Sequence, residues 1–250
     1  MEPGRSFLDL NRYIFRKKMK DEEKSRAQLI EELAGLRRQL DDVQAYADPE
    51  WRRLEKWRRS FRRLQDLLAG VVVLLEERDP HLVEHQRRVC SLACAIAEEM
   101  GLPPEQVETL SAAAMLHDIG LVFIPPEILH KTDSLTPLET ALIQAHPRAG
   151  FNILENLESF QPIARIVLQH HERLDGSGYP AGLAGEEILL EARILAVPDV
   201  VEAMAYARPY RLNLGINQAL QEISQKRGTL YDPEVVDACL RLFDKGFDFL

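Results

Sequence analysis

Seven histidines stand in this sequence: His81, His85, His117, His130, His146, His170 and His171. A single histidine is more often a surface or satisfied core residue than a ligand, so position is what matters. His117-Asp118 and His170-His171 fall at predicted helix C-termini, and His146 falls at a helix break beside Pro147. At such positions a side chain and its neighbour can leave the helical cylinder towards a common point. Imidazole with carboxylate is a donor set for zinc, iron and manganese. One aspartate can bridge two cations about 3.5–4 Å apart, the spacing used for in-line phosphoryl displacement. Asp118 is the candidate bridge, and Asp199 in "ILAVPDVVEAMA" is the acid expected to face it. An ionised carboxylate is costly to bury without a partner. Asp199 on its apolar stretch therefore needs a cation or a helix-cap role, and Pro198 before it keeps the cap role open.

The elements that must position these groups read as helices, and no strand alternation lasts more than a few residues. Asp79-Pro80 signals a helix start, with the helix running from about His81 to Met100 and stopping at Gly101. A helix of about 104–117 ends at the His117-Asp118 pair. "TPLE" (136–139) is a capping box that opens a helix interrupted at His146-Pro147. Pro162 opens a helix ending at His170-His171, followed by the glycine-rich "ERLDGSGYPAG". A helix of about 187–206 comes next, and Asp232-Pro233 caps the last one. Upstream, Leu29, Leu33, Leu36, Leu40, Val43 and Ala47 are spaced 4-3-4-3. After Asp48-Pro49 the same register resumes at Leu54, Trp57, Phe61, Leu64, Leu68, Val71 and Leu75. A seven-residue repeat of this length suggests a coiled coil, most simply a parallel dimer; the alternative is a helical hairpin folded back on the globular part.

Composition narrows the function. The chain has 250 residues and a net charge of −9. Residues 1–78 carry 18 Lys/Arg against 15 Asp/Glu, whereas the remainder carries 13 against 25. That acidic second part does not suit non-specific DNA binding, which needs a basic surface. A phosphate substrate would need its positive field from bound cations. The longest apolar run, "LLAGVVVLL" (67–75), is far short of the roughly 20 residues of a membrane span. No signal peptide is visible. Three cysteines, Cys90, Cys94 and Cys239, without CxxC spacing point to a reducing cytoplasm.

"HDIG", with "HHERLDGSGYP" about fifty residues later, resembles the HD-GYP family over about residues 70–250. "EERDPHLVEHQRRV" is similar to its first helix, "LTPLETALIQAHPRAG" to its middle segment, and "ARILAVPDVVEAM", "ARPYR" and "RGTLYDPEVV" to its later ones. The HHExxDGxGYP string with seven ligand positions filled in order is highly specific. The resemblance implies an all-α HD-domain bundle over 79–250, preceded by an N-terminal coiled-coil-like region over 1–78 for dimerisation or signalling. It implies a phosphodiesterase that hydrolyses cyclic di-GMP to pGpG or GMP through a bridging hydroxide on two or three divalent cations, iron or manganese. His85, His117, Asp118 and Asp199 would hold one metal, and Asp118, His146, His170 and His171 the other. His117 and Asp118 would be the catalytic pair. His81 lies one turn before His85, where some members place a carboxylate for a third metal; it is either an extra ligand or an exposed first-turn histidine.

Asp175, Gly178, Tyr179, Pro180, Arg208 and Arg211 are the candidate substrate contacts. Tyr179 could stack on a guanine or plug the structure, and Gly176 and Gly178 permit tight turns or close approach to a ligand. The arginines either grip phosphate or are ordinary surface cations. Three positions depart from the family pattern. Leu121 stands where a lysine usually reaches the phosphate, Ala207 where aspartate is usual, and Pro198 where a small helix-former is usual, inviting a kink that would shift Asp199. The expected function is thus a cyclic di-GMP phosphodiesterase, a homodimer through its N-terminal helices that takes a signal from a regulatory partner. The alternatives are a metal-binding, weakly active module that senses nucleotide or docks protein, and a hydrolase of another cyclic dinucleotide.

Overall fold

The helix expected from His81 is α1 (Pro80–Glu99). Val89, Leu92, Ala93, Ile96 and Ala97 recur at three- and four-residue spacings along it and, with Val83, are fully buried, the apolar stripe of a core-facing helix. Gly101 turns to a φ of 77°, and Leu102 N–H reaches back to Ala97 O at 2.9 Å, a left-handed stop that glycine tolerates without a Cβ penalty. The computed structural model describes residues 80–206 and 214–249, together with Gln28, Glu31 and Gly35 in helical conformation. The heptad positions from Leu29 to Leu75, the expected boundary at residue 78, Ala207, Arg208, Arg211 and the side chain of His81 lie outside the described residues.

The chain continues through α2 (Pro104–Leu116), a 3-10 turn at Ile119–Phe123, α3 (Pro126–Leu129), α4 (Pro137–Gln144) and α5 (His146–Leu154). After a short 3-10 turn come α6 (Gln161–Gln169), α7 (Leu190–Ala205), α8 (Ile216–Gln225) and α9 (Pro233–Asp244). No strand occurs among the described residues; two isolated bridges, Asp175–Ala184 and Arg227–Tyr231, pin loops. The helix starts follow the sequence signals. Thr136 Oγ1 accepts from Glu139 N–H and the Glu139 carboxylate accepts from Thr136 N–H, closing the capping box. Asp232 caps α9 through the N–H groups of Glu234 and Val235 and takes a 2.5 Å bond from Arg193.

α7 is the hub, with Ala192, Ile194 to Asp199, Val201 and Glu202 all buried. It packs against α1 and α8, and more lightly against α9, α2 and α6. A helix apolar nearly all round belongs in the centre of a bundle. Its Pro198 does not end it. The helix runs unbroken from Leu190 to Ala205, and Asp199 sits in its interior rather than at a cap. The cap alternative for Asp199 therefore falls, and no displacement of Asp199 out of the core follows the proline.

Gly120 sets how closely the turn after α2 meets α5. A Cβ there would collide with the backbone oxygen of His146 and lie 2.7 Å from Gly150 N. Backbone atoms cannot step aside as a rotamer can. Gly120→Ala should therefore push α5 away and cost at least the roughly 1–3 kcal/mol of an overpacked core. A lowered urea midpoint is the expected result, and an unchanged midpoint would contradict the contact.

Candidate metal centre

Three histidines of the cluster are turned inward by the backbone that ends or begins their helices. At a helix end the last carbonyls lack intrahelical partners. His117, just after α2, donates from Nδ1 to Ala114 O at 2.8 Å. His170, just after α6, does the same to Val167 O at 2.6 Å. His146 opens α5 and bonds Ile143 O at 2.7 Å. Pro147 has no N–H for that carbonyl, so the break between α4 and α5 provides the acceptor that orients the ligand. In each case a neutral imidazole with Nδ1–H bound to a carbonyl carries only a lone pair on Nε2. His117 Nε2 has no hydrogen-bond partner, and His146 Nε2 stands 3.3 Å from His170 Nε2.

Asp118 lies among these lone pairs. It begins the 3-10 turn, yet its side chain makes no cap bond. Instead its two oxygens face different histidines. Oδ1 is 3.1 Å from His146 Nε2, whereas Oδ2 is 3.4 Å from His117 Nε2 and 3.8 Å from His85 Nε2. Asp199, projecting from α7, places Oδ1 3.3 Å from His85 Nε2 and 3.9 Å from His117 Nε2, and Oδ2 3.7 Å from His171 Nδ1. Ring centroids of His170 and His171 are 4.0 Å apart. Two groups emerge that share Asp118: Asp118, His146, His170 and His171, and His85, His117 and Asp118, with the donor atoms of each group within 4.8 Å of one another. Donors around one first-row cation sit about 2.0–2.2 Å from it, so only slight tightening is needed. The cluster is able to bind metal.

The two carboxylates, His170 and His171 are shifted towards their ligating forms, whereas the adjoining Asp118 carboxylate raises the pKa of His146 against its burial. Burial opposes ionisation of Asp118, but the adjoining His117 and His146 imidazoles outweigh it and hold the carboxyl well below its ordinary range. Burial likewise opposes ionisation of Asp199, and His85 and His171 hold it low. Burial and the neighbouring His171 push His170 well down, and burial brings His171 to about 4. Ionised carboxylates and neutral imidazoles are the forms that ligate cations.

The glycine-rich loop after His171 is fastened by Glu172, a residue that the sequence reading gave no role. Its buried carboxylate accepts from Ala181 N–H at 2.7 Å and Leu183 N–H at 3.0 Å. Gly178 needs its missing Cβ because the backbone of Glu172 and Arg173 lies against it, 2.5 Å from Arg173 N to the position a Cβ would take. The constraint comes from the protein's own backbone. Tyr179 precedes the cis Pro180 and lies over His171, centroids 4.8 Å apart at 32°. Asp175 is exposed and accepts from Ser177 N–H at 3.0 Å within the loop. Gly176 makes the turn at a φ of 79°. Leu121 lies in the turn after Asp118, half-buried, its N–H on Asp118 O at 2.9 Å. His130 is exposed and outside the cluster. Glu202 and Arg88 were also missed. Their spacing was available: Glu202 is three residues from Asp199 and Arg88 three from His85, each pair on one helix face.

Comparison with known proteins agrees with this picture. The family model described as "HD domain" matches residues 71–235. The cyclic di-GMP phosphodiesterase response regulator RpfG of Xanthomonas campestris pv. campestris is 40% identical over 212 residues, covering 84% of this chain and 56% of that one. A cyclic di-GMP phosphodiesterase of Thermotoga maritima is 43% identical over 188 residues, covering 73% and 51%. The chain thus spans about half the length of the curated relatives it matches. Among solved structures, Bd1817, an HDG"Y"P protein from Bdellovibrio bacteriovorus, shares the fold with a TM-score of 0.55 at 21% identity, over 65% of this chain and 52% of that one. Helices ending in inward-turned histidines, an HHExxDGxGYP loop and these matches lead to one assignment: the chain belongs to the HD-domain family, in its HD-GYP branch.

Proposed function

We propose that this protein is a metal-dependent phosphodiesterase that hydrolyses cyclic di-GMP to pGpG or GMP. The observation that carries the proposal is Asp118, whose two oxygens face separate histidine groups as a bridging carboxylate requires. In this reading His85, His117, Asp118 and Asp199 hold one cation, and Asp118, His146, His170 and His171 the other. A mixed imidazole and carboxylate set suits iron or manganese. When bound, two such cations supply Lewis acidity, acidifying water and stabilising charge on the phosphate.

The chain's own groups supply position and polarity. The carbonyls behind His117, His146 and His170 fix each ring before a ligand arrives. Tyr179 extends the imidazole surface at His171 and offers a face on which a guanine stacks, with Gly178, Pro180 and Asp175 shaping the loop beside it. Arg208 and Arg211 are assigned to phosphate oxygens; His81 is either a ligand to a third cation or an exposed first-turn histidine. Leu121 contributes no charge at the turn where relatives of this family usually have lysine, so turnover is slow rather than absent. The N-terminal helices are assigned to dimerisation and to a regulatory partner. The three free thiols support a cytoplasmic protein, and among the described residues no helix is long and apolar enough to cross a membrane.

Protein purified anaerobically and supplied with manganese or iron(II) should linearise cyclic di-GMP, and His117→Ala or Asp118→Ala should abolish turnover; cleavage surviving either change would count against the centre. Leu121→Lys restores one contact to the phosphate, of the kind worth roughly 10²–10³ in rate. An increase in kcat towards that range is expected, whereas an unchanged kcat would mean that the turn does not reach the substrate. Light scattering should give dimers for the whole chain and monomers once residues 1–78 are removed. Dimers persisting after the truncation would refute the N-terminal assignment.

A further inference from the structure

His85 differs from the other oriented imidazoles of the cluster in what stands behind it. His117, His146 and His170 each rest Nδ1 on a neutral backbone carbonyl three residues back, near a helix end. His85 lies inside α1, where the helix's own N–H groups take the carbonyls. Its Nδ1 meets a carboxylate instead, that of Glu202 from α7. Glu202 is 1% exposed and three residues beyond Asp199, so one helix face supplies both the acid before His85 Nε2 and the acid behind His85 Nδ1. Arg88 holds the second oxygen of Glu202 through Nε at 2.7 Å, and its guanidinium lies 4.1 Å over the Tyr206 ring. Burial opposes ionisation of Glu202, yet the His85 bond and Arg88 keep its carboxyl below the ordinary value.

We infer that Glu202, held by Arg88, is a positioning residue that fixes the ring of His85 and makes it a stronger electron-pair donor than the imidazoles resting on carbonyls. A carboxylate behind a ligating histidine fixes its tautomer and raises its basicity, and losing such a partner typically weakens metal affinity about 10–100-fold. The two halves of the cluster are therefore unequal. The half containing His85 has a charged support, whereas His146 and His170 have neutral ones. The inference rests on the metal reading above.

The test is a titration of the whole chain with Mn²⁺, following free Mn²⁺ by electron paramagnetic resonance. Wild-type protein should bind at least two Mn²⁺ per chain. Glu202→Gln keeps size and an acceptor but removes the charge. It should weaken one Mn²⁺ by about tenfold or more and leave the other within about twofold. In a His85→Ala background the same change should add nothing, because its effect passes through His85. Glu202→Asp keeps the charge that Arg88 pairs with but shortens the reach to His85, and should loosen the same cation. If Glu202→Gln fails to fold, this second variant decides alone. Unchanged binding in the variants, equal weakening of both cations, or a Glu202→Gln effect that persists without His85 would overturn the inference. Wild-type protein that binds no Mn²⁺ would overturn the metal reading, and this inference with it.

Discussion

Electron pairs converge in the middle of this protein with few protons to separate them. The Nδ1–H groups of His117, His146 and His170 are committed to backbone carbonyls, so their Nε2 lone pairs point inward at two ionised carboxylates and at one another. Packing acceptor against acceptor in a buried site is unfavourable unless something positive lies between them. That constraint accounts for the most distinctive local features. Asp118 gives up the cap bond that its position at the start of a turn would allow, and Asp199 spends an ionised side chain on the most buried helix of the bundle. A pair of shared cations would resolve both.

The fold meets the constraint by placing helix ends rather than helix faces around the cluster. α2 and α6 end beside it, each contributing an imidazole and a carbonyl to hold that imidazole, and α5 begins beside it with His146, held by the Ile143 carbonyl of α4. α1 and α7 pass alongside and contribute from their faces, which is why His85 needs a side chain, Glu202, for support. The close approach at Gly120 and the clasp of Glu172 on the glycine-rich loop keep the ends in register. The acidic character of residues 79–250 fits a site whose positive field comes from cations.

Much of this was legible in the sequence because helix punctuation and ligand chemistry coincide. Thr136-Pro137, Asp232-Pro233 and Gly101 marked helix boundaries through backbone rules that tertiary packing does not override. Histidines at the ends of α2 and α6 and at the start of α5 marked the cluster. What stayed hidden depends on distance across the fold. The role of Glu202 depends on α1 lying beside α7, which brings His85 Nδ1 to its carboxylate. Glu172 looked like part of a motif until the loop folded back over it. Pro198 was read as a threat to its helix, but packing on nearly all sides of α7 holds the helix through it. Gly178 suggested a tight turn or close approach to a ligand, and the backbone of Glu172 and Arg173 is what its missing Cβ makes room for.

The central claim is that Asp118 joins two cations. Anomalous X-ray scattering at the manganese or iron edge, from crystals grown with that metal, tests it most directly. The account predicts two strong peaks flanking Asp118, one beside His85 and His117 and the other beside His146, His170 and His171. A single peak that leaves one histidine group empty, or peaks away from Asp118, would contradict it.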